Sequence, residues 1–136
     1  MKLQYKDLSI DNTIHSKELR ERAKRSPITD KRLCLLVLHN KKEVGYLAFD
    51  LWPSKDYIVI YELYIIPEYR RKGIGTIVMK KAEKIAAEFG NLSIHLRPEP
   101  LSRKISKEQL IEWYRKQGYS PLADNPDLFV KELRVK

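Results

Sequence analysis

Residues 67–76, Pro-Glu-Tyr-Arg-Arg-Lys-Gly-Ile-Gly-Thr, hold the residues of this chain best suited to bind an anion. They follow an apolar, β-rich run, Tyr57–Ile66, and open an amphipathic helical pattern over Ile74–Phe89. The first turn of a helix leaves backbone N–H groups without partners, and the helix dipole adds positive potential there. Glycines at 73 and 75 allow a phosphate to approach the backbone without meeting a Cβ. Arg70, Arg71 and Lys72 precede them, and no acidic residue lies between Arg70 and Lys81. Strand, basic glycine loop and helix start, in that order, predict a phosphate site.

The loop is not a Walker A loop, because the run Gly-x-x-x-x-Gly-Lys-Ser/Thr is missing from the sequence. The dinucleotide fingerprint asks for a third glycine, and that place holds Val78. Arg70-Arg71-Lys72-Gly73-Ile74-Gly75 instead resembles motif A of the GCN5-related N-acetyltransferases, Gln/Arg-x-x-Gly-x-Gly/Ala. Farther along, Trp113-Tyr114-Arg115-Lys116-Gln117-Gly118-Tyr119 is similar to the Leu-Tyr-x-x-x-Gly-Phe pattern that ends the family's late helix. The order of elements matches the family over nearly the whole chain.

The resemblance implies a cosubstrate, acetyl-coenzyme A, whose pyrophosphate rests on the backbone of Arg70, Arg71, Lys72, Gly73, Ile74, Gly75 and Thr76. It implies a direct transfer of acetyl to a primary amine in a ternary complex, with no metal. Tyr114 falls where a hydroxyl protonates the departing thiolate; Ile65 falls where a main-chain group bonds the pantetheine arm. Leu63 falls where an amide N–H faces the thioester carbonyl, in a strand whose bulge frees such groups. The base that deprotonates the amine has two candidates. Glu62 is the one acidic residue within the apolar strand, and His95 lies in a segment where some protein N-terminal acetyltransferases carry a catalytic His or Glu. Their residue types fit equally well a salt-bridged glutamate and a structural histidine. Departures from the pattern are Lys107 and Leu110, where Asn and Ala are common, and a long loop, Pro98–Ile105, carrying Arg103 and Lys104 beside Arg97.

Tyr-Arg-Arg-x-Gly-Ile-Gly-Thr is similar to protein N-terminal acetyltransferases in particular, which makes a protein N-terminus or lysine the first acceptor to consider. Small amines are the nearest alternative. A non-catalytic acyl-coenzyme A sensor and a basic nucleic-acid module are alternatives of another class. Tyr114 favours an enzyme over the sensor. The lack of interleaved basic and aromatic residues on one surface disfavours the nucleic-acid module.

At 136 residues the chain is long enough for one domain, expected over 1–136, and for a real core. A content of 43% hydrophobic and 33% charged residues excludes a disordered chain. No apolar run approaches the ~20 residues of a membrane helix, and the start lacks a signal-peptide core. The single cysteine, Cys34, excludes an internal disulfide framework, so the expected home is a reducing, cytoplasmic one. Its place in an apolar run makes it a small buried hydrophobe. The net charge of +9 favours anionic partners without choosing among them. His15, His39 and His95 are too scattered to form a zinc site with it.

The elements that must position these residues follow from pattern. Strands are expected at Leu3–Leu8, Arg32–Leu38, Val44–Leu51, Tyr57–Ile66, Leu92–Arg97, Tyr119–Leu122 and Leu128–Leu133. Turns fall at Asn40-Lys41-Lys42 and Pro53-Ser54-Lys55-Asp56. A polar helix is expected around Ser16–Arg25. Ile74, Ile77, Val78, Ala82, Ile85, Ala86 and Phe89 define a long one ended by Gly90, with lysines on its other face. Ser106-x-x-Gln109 forms a capping box for a helix stopped by Gly118. The fold class is therefore α/β: a mixed, mostly antiparallel sheet of the acetyltransferase type, with a central parallel strand pair and helices on both faces.

Overall fold

A computed structural model of the chain describes residues 1–52, 55–100 and 105–133. Pro53 and Ser54 of the second expected turn, and Arg103 and Lys104 of the long loop, lie outside the described residues. The strands are β1 (Gln4–Asp7), β2 (Arg32–His39), β3 (Lys42–Leu51), β4 (Tyr57–Ile65), β5 (Ser93–Leu96), β6 (Ser120–Pro121) and β7 (Phe129–Glu132). The helices are α1 (Lys17–Lys24), α2 (Ile74–Glu88) and α3 (Lys107–Lys116), with a 3-10 turn at Pro67–Tyr69. All seven strands form one sheet in the order β1-β2-β3-β4-β5-β7-β6. Each neighbouring pair is antiparallel except β4–β5, which is parallel.

Local chemistry explains where the elements begin and end. Asn40 and Lys41 both have positive φ, 50° and 67°, which is the backbone a tight hairpin between β2 and β3 requires. Ser16 caps α1 by accepting from the Leu19 N–H at 3.2 Å. The Glu43 carboxylate of β3 fastens the same helix start by accepting from the His15 and Ser16 amides. The capping box at α3 is complete: Ser106 Oγ accepts from the Gln109 N–H, and the Gln109 side chain accepts from the Ser106 N–H. Gly90 ends α2 at φ 81°, and Asn91 N–H bonds back to Ala86.

The two faces of the sheet carry different layers. Leu35, Val37, Leu47, Phe49, Ile58 and Ile94 pack against Ile74, Val78, Met79, Ala82 and Ala86 of α2, and α3 joins them through Tyr114. Each fully buried large aliphatic of this kind stabilises the fold by about 1.5–3 kcal/mol. On the opposite face Cys34, Leu36, Tyr46, Ala48 and Tyr64 pack against Leu19 of α1. Cys34 is 2% exposed, as expected of a buried hydrophobe.

The central strand is irregular where it matters most. Ala48 pairs with Glu62 and Phe49 with Ile60, so Tyr61 is an extra residue, a β-bulge in β4. Only Tyr57–Ile60 pairs with β5, whereas β4 runs on to Ile65. Arg97 and Pro98 follow β5, and a proline offers no N–H to continue the ladder. The strands therefore part after Ile60 and Leu96.

Gly45 holds β3 against the free part of β4. A Cβ there would lie 2.7 Å from Ile65 Cδ1 and 2.8 Å from the Tyr64 carbonyl oxygen. The backbone oxygen cannot move cheaply, so Gly45→Ala is expected to cost about 1–3 kcal/mol of stability. Urea unfolding of both proteins measures this, and an unchanged midpoint contradicts the packing described.

Candidate active site

The parting of β4 and β5 leaves backbone groups of β4 facing a gap. Ile66 N–H donates to the Val44 carbonyl at 2.9 Å, which sets the phase of the antiparallel ladder. Glu62, Tyr64 and Ile66 thus direct their main-chain groups to β3. Leu63 and Ile65 direct theirs to the gap.

The gap opens into a cleft of about 360 Å³, walled by β4, the loop before α2, and α3. At one end lies the start of α2. Gly73 is its N-cap in the left-handed region (φ 81°), with no side-chain cap and no acidic residue in the first turn. Ile77 N–H bonds to the Gly73 carbonyl, so the amides of Ile74, Gly75 and Thr76 precede the first helical bond. Arg71 also has positive φ, 63°, uncommon for a residue with a side chain. The unpartnered amides, the helix dipole and the flanking cations give this corner a positive potential, suited to a phosphate group.

The cleft brings together most of the residues singled out from sequence. Leu63, Ile65 and Tyr114 line it, as do Arg70, Arg71, Gly73, Gly75 and Thr76. Lys72 is exposed beside it, with Nζ 5.7 Å from the centre of the Tyr69 ring. The Ile74 side chain is in the core, so this residue offers the corner only its backbone. Gly75 departs from the expected reason for being glycine. A Cβ there would meet Trp113 Cζ2 at 3.2 Å, so its absence makes room for an indole ring. A second tie joins α3 to α2: Gln117 Nε2 donates to Thr76 Oγ1 at 3.3 Å.

Tyr114 stands at the far wall, edge-on to Trp113 and Tyr119 with ring centres 4.9 and 5.8 Å away. Burial pushes its phenol above the ordinary value, so the hydroxyl keeps its proton at neutral pH. Tyr119 is fixed from behind, donating to Glu83 Oε2 at 3.1 Å, while Lys131 bridges the other oxygen at 3.0 Å.

Glu62 and His95 lie outside that cleft, on the sheet face that carries α1. Glu62 is 8% exposed, and its Oε2 has no hydrogen-bond partner among the described residues. Burial raises its pKa, an effect that the nearby Arg22 and Arg25 oppose. His95 is engaged: its ring stacks on Tyr57 at 3.9 Å and 4°, and Nε2 lies 3.3 Å from Ser93 Oγ. Burial lowers its pKa, so the imidazole is neutral near pH 7. His95 neighbours Val59, before the gap opens; Glu62 lies within the stretch that β5 has left.

Further walls of the cleft come from segments that the sequence marked for other reasons. Trp113 belongs to the late-helix pattern, Gln109 to the capping box, and Glu99, Pro100 and Ile105 to the long loop, and all of them line it. Helical spacing from Tyr114 puts Leu110 on the same side, and it too lines the cleft. Among the described residues no three His, Cys, Asp or Glu side chains gather, and no helix is long and apolar enough to cross a membrane.

Comparison with known proteins agrees with this geometry. The profile of the acetyltransferase (GNAT) family matches residues 4–119. A curated relative, an uncharacterized N-acetyltransferase of Methanocaldococcus jannaschii, is 29% identical over 85 residues, 59% of this chain and 35% of the relative. The match thus spans about a third of that relative's length. Tetrahymena GCN5 superposes with a TM-score of 0.70 at 14% identity, covering 98% of both chains. The PaiA N-acetyltransferase of Thermoplasma acidophilum, solved in complex with coenzyme A, gives 0.66 at 18% identity, covering 97% of this chain and 99% of its own. The mixed sheet with its single parallel pair is the architecture of these structures. The chain belongs to the GNAT acetyltransferase family.

Proposed function

We propose that this protein is an N-acetyltransferase that binds acetyl-coenzyme A in the β4–α2–α3 cleft and passes the acetyl group to a primary amine. The reading treats residues 1–136 as one catalytic domain. The observation that carries it is the opening of one cleft onto three groups: the uncapped start of α2, the main chain of Leu63 and Ile65 that no strand pairs on this side, and the Tyr114 ring. A generic anion site needs the first of these and neither of the others. A charge-driven nucleic-acid module would need none of them.

When bound, acetyl-coenzyme A supplies an activated acetyl thioester. The amides of Gly73–Thr76, with Arg71 and Lys72 nearby, hold its pyrophosphate, where a Cβ on Gly73 would add strain to a left-handed backbone. Arg70 belongs to the same loop. Leu63 N–H donates to the carbonyl oxygen and stabilises the negative charge that grows on it during attack. Ile65 N–H bonds the pantetheine arm. Tyr114 donates its proton toward the sulfur as the C–S bond breaks.

Glu62 is the residue we assign as base, directly or through a water, because it belongs to the stretch of β4 that β5 has left and its Oε2 has no partner among the described residues. Burial makes its carboxylate more basic than a solvated one. His95 is the weaker candidate, since its ring is already stacked on Tyr57. The acceptor is a primary amine of a protein or small molecule, and the likeness of Tyr69–Thr76 to protein N-terminal acetyltransferases supports a protein N-terminus.

Labelled acetyl-coenzyme A, offered with peptides and small amines, tests the function. Acetyl transfer to a primary amine is expected, and binding without transfer to any acceptor would point to the sensor instead. Tyr114→Phe is expected to lower turnover about 10²–10⁴-fold while coenzyme binding changes little. Turnover equal to wild type would return Tyr114 to a packing role.

The pH dependence tests Glu62. A base works in its deprotonated form, so transfer should decline as pH falls through the pKa of Glu62. Because burial raises that pKa, the decline should centre above the ordinary glutamate value of about 4.3. Glu62→Gln should lower the rate and remove the decline. A pH profile unchanged in that variant contradicts the assignment.

A further inference from the structure

Arg70 heads the cationic loop, yet its side chain does not point its hydrogen bond at the anion corner. Its Nε donates to the Ile65 carbonyl oxygen at 2.8 Å. Its guanidinium carbon stands 5.1 Å from the centre of the Tyr64 ring. That ring belongs to β4 and is itself fixed, its hydroxyl donating to Glu18 of α1 at 2.8 Å.

The bond closes the segment between the strand and the phosphate turn. Two main-chain bonds shape that segment, Tyr69 N–H to Ile66 at 2.9 Å and Arg70 N–H to Pro67 at 3.2 Å. Both are internal to the turn. The Arg70 side chain reaches past them to the last residue of β4, whose carbonyl faces the gap where no strand pairs. An acceptor in that position needs a donor, and the Arg70 side chain supplies one. Both arginines border the cleft, but Arg71 differs in being exposed where Arg70 is half-buried, and in having a left-handed backbone.

We propose that Arg70 is a positioning residue, whose side chain fastens the phosphate turn to the end of β4 through the Ile65 carbonyl rather than meeting the phosphate itself. The distance between the α2 start and the main chain of Leu63 and Ile65 is then set by this bond. The inference rests on the coenzyme reading for its consequence, though the bond belongs to the free protein. Division of labour follows: Arg71 and Lys72 supply charge, and Arg70 supplies geometry.

Two substitutions separate the roles. Glutamine places its Nε2 the same number of bonds from Cα as the arginine Nε, so Arg70→Gln keeps the donor and drops the charge. Methionine places a methyl carbon there, so Arg70→Met drops both. Calorimetry with coenzyme A at several salt concentrations is the first measurement. Arg70→Met should weaken binding about ten-fold or more, the usual scale for a lost charge-assisted hydrogen bond, and Arg70→Gln should recover most of that loss. The salt dependence should be the same for Arg70→Gln and wild type.

Hydrogen exchange on the coenzyme-free proteins is the second measurement. Amides of Tyr69–Lys72 should exchange faster in Arg70→Met than in Arg70→Gln or wild type. Equal weakening in both variants with a shallower salt dependence would show that Arg70 acts by charge, overturning the proposal. Wild-type exchange in Arg70→Met would overturn it too. If wild type itself fails to bind coenzyme A, the functional reading falls, and the exchange experiment still decides the role of the Ile65 bond.

Discussion

The structure depends on an interruption: β4 and β5 pair in parallel for four residues each and then separate. A continuous ladder would satisfy the main chain of Leu63 and Ile65 and seal the sheet. Unpaired main chain is costly inside a protein, so an interruption at the centre of a sheet must be built by specific residues. Tyr61 bulges β4 just where the pairing stops, and Pro98 denies β5 a further donor. Gly45 lets β3 lie close behind the stretch that β5 has left. The cleft, the anion corner and the aromatic wall are arranged around that opening.

The opening joins two faces of different character. On the α2–α3 face the chain presents amides, cations and a protonated phenol, a set that suits an anionic thioester. On the α1 face it presents a buried carboxylate with one oxygen that has no partner among the described residues. In the function we propose, the acceptor amine would meet the thioester from the α1 side by direct transfer, with no nucleophile from the protein. Cys34 fits that view, buried among aliphatics on the α1 side and held above its ordinary pKa by burial.

Much of this was legible in the sequence, because the signals were local. The glycine loop, the apolar stripe of α2, the Ser106–Gln109 box and the glycines at 90 and 118 each act over a few residues, and each element lies within a few residues of its expected place. The parts that were not legible depend on contacts distant in the chain. Nothing in Gly75 announces that Trp113 fills the space of its missing Cβ. Arg70 reads as charge and serves as a donor to Ile65. A bulge somewhere in β4 was expected from family resemblance alone, and its place at Tyr61 was not, since a tyrosine in an apolar strand carries no mark of it. The insertion of β7 between β5 and β6, and the 3-10 turn at Pro67–Tyr69, were likewise set by tertiary pairing and not by pattern.

The central claim is that the unpaired amides of this opening bind coenzyme A. Titration of the isotope-labelled protein with coenzyme A, followed by amide resonances, tests it most directly. The largest shifts are expected at Gly73, Ile74, Gly75 and Thr76, with a second group at Leu63 and Ile65. Shifts confined to the exposed lysines of α2, fading as salt is raised, would mean that the protein meets the ligand only as a diffuse positive surface and would contradict the account.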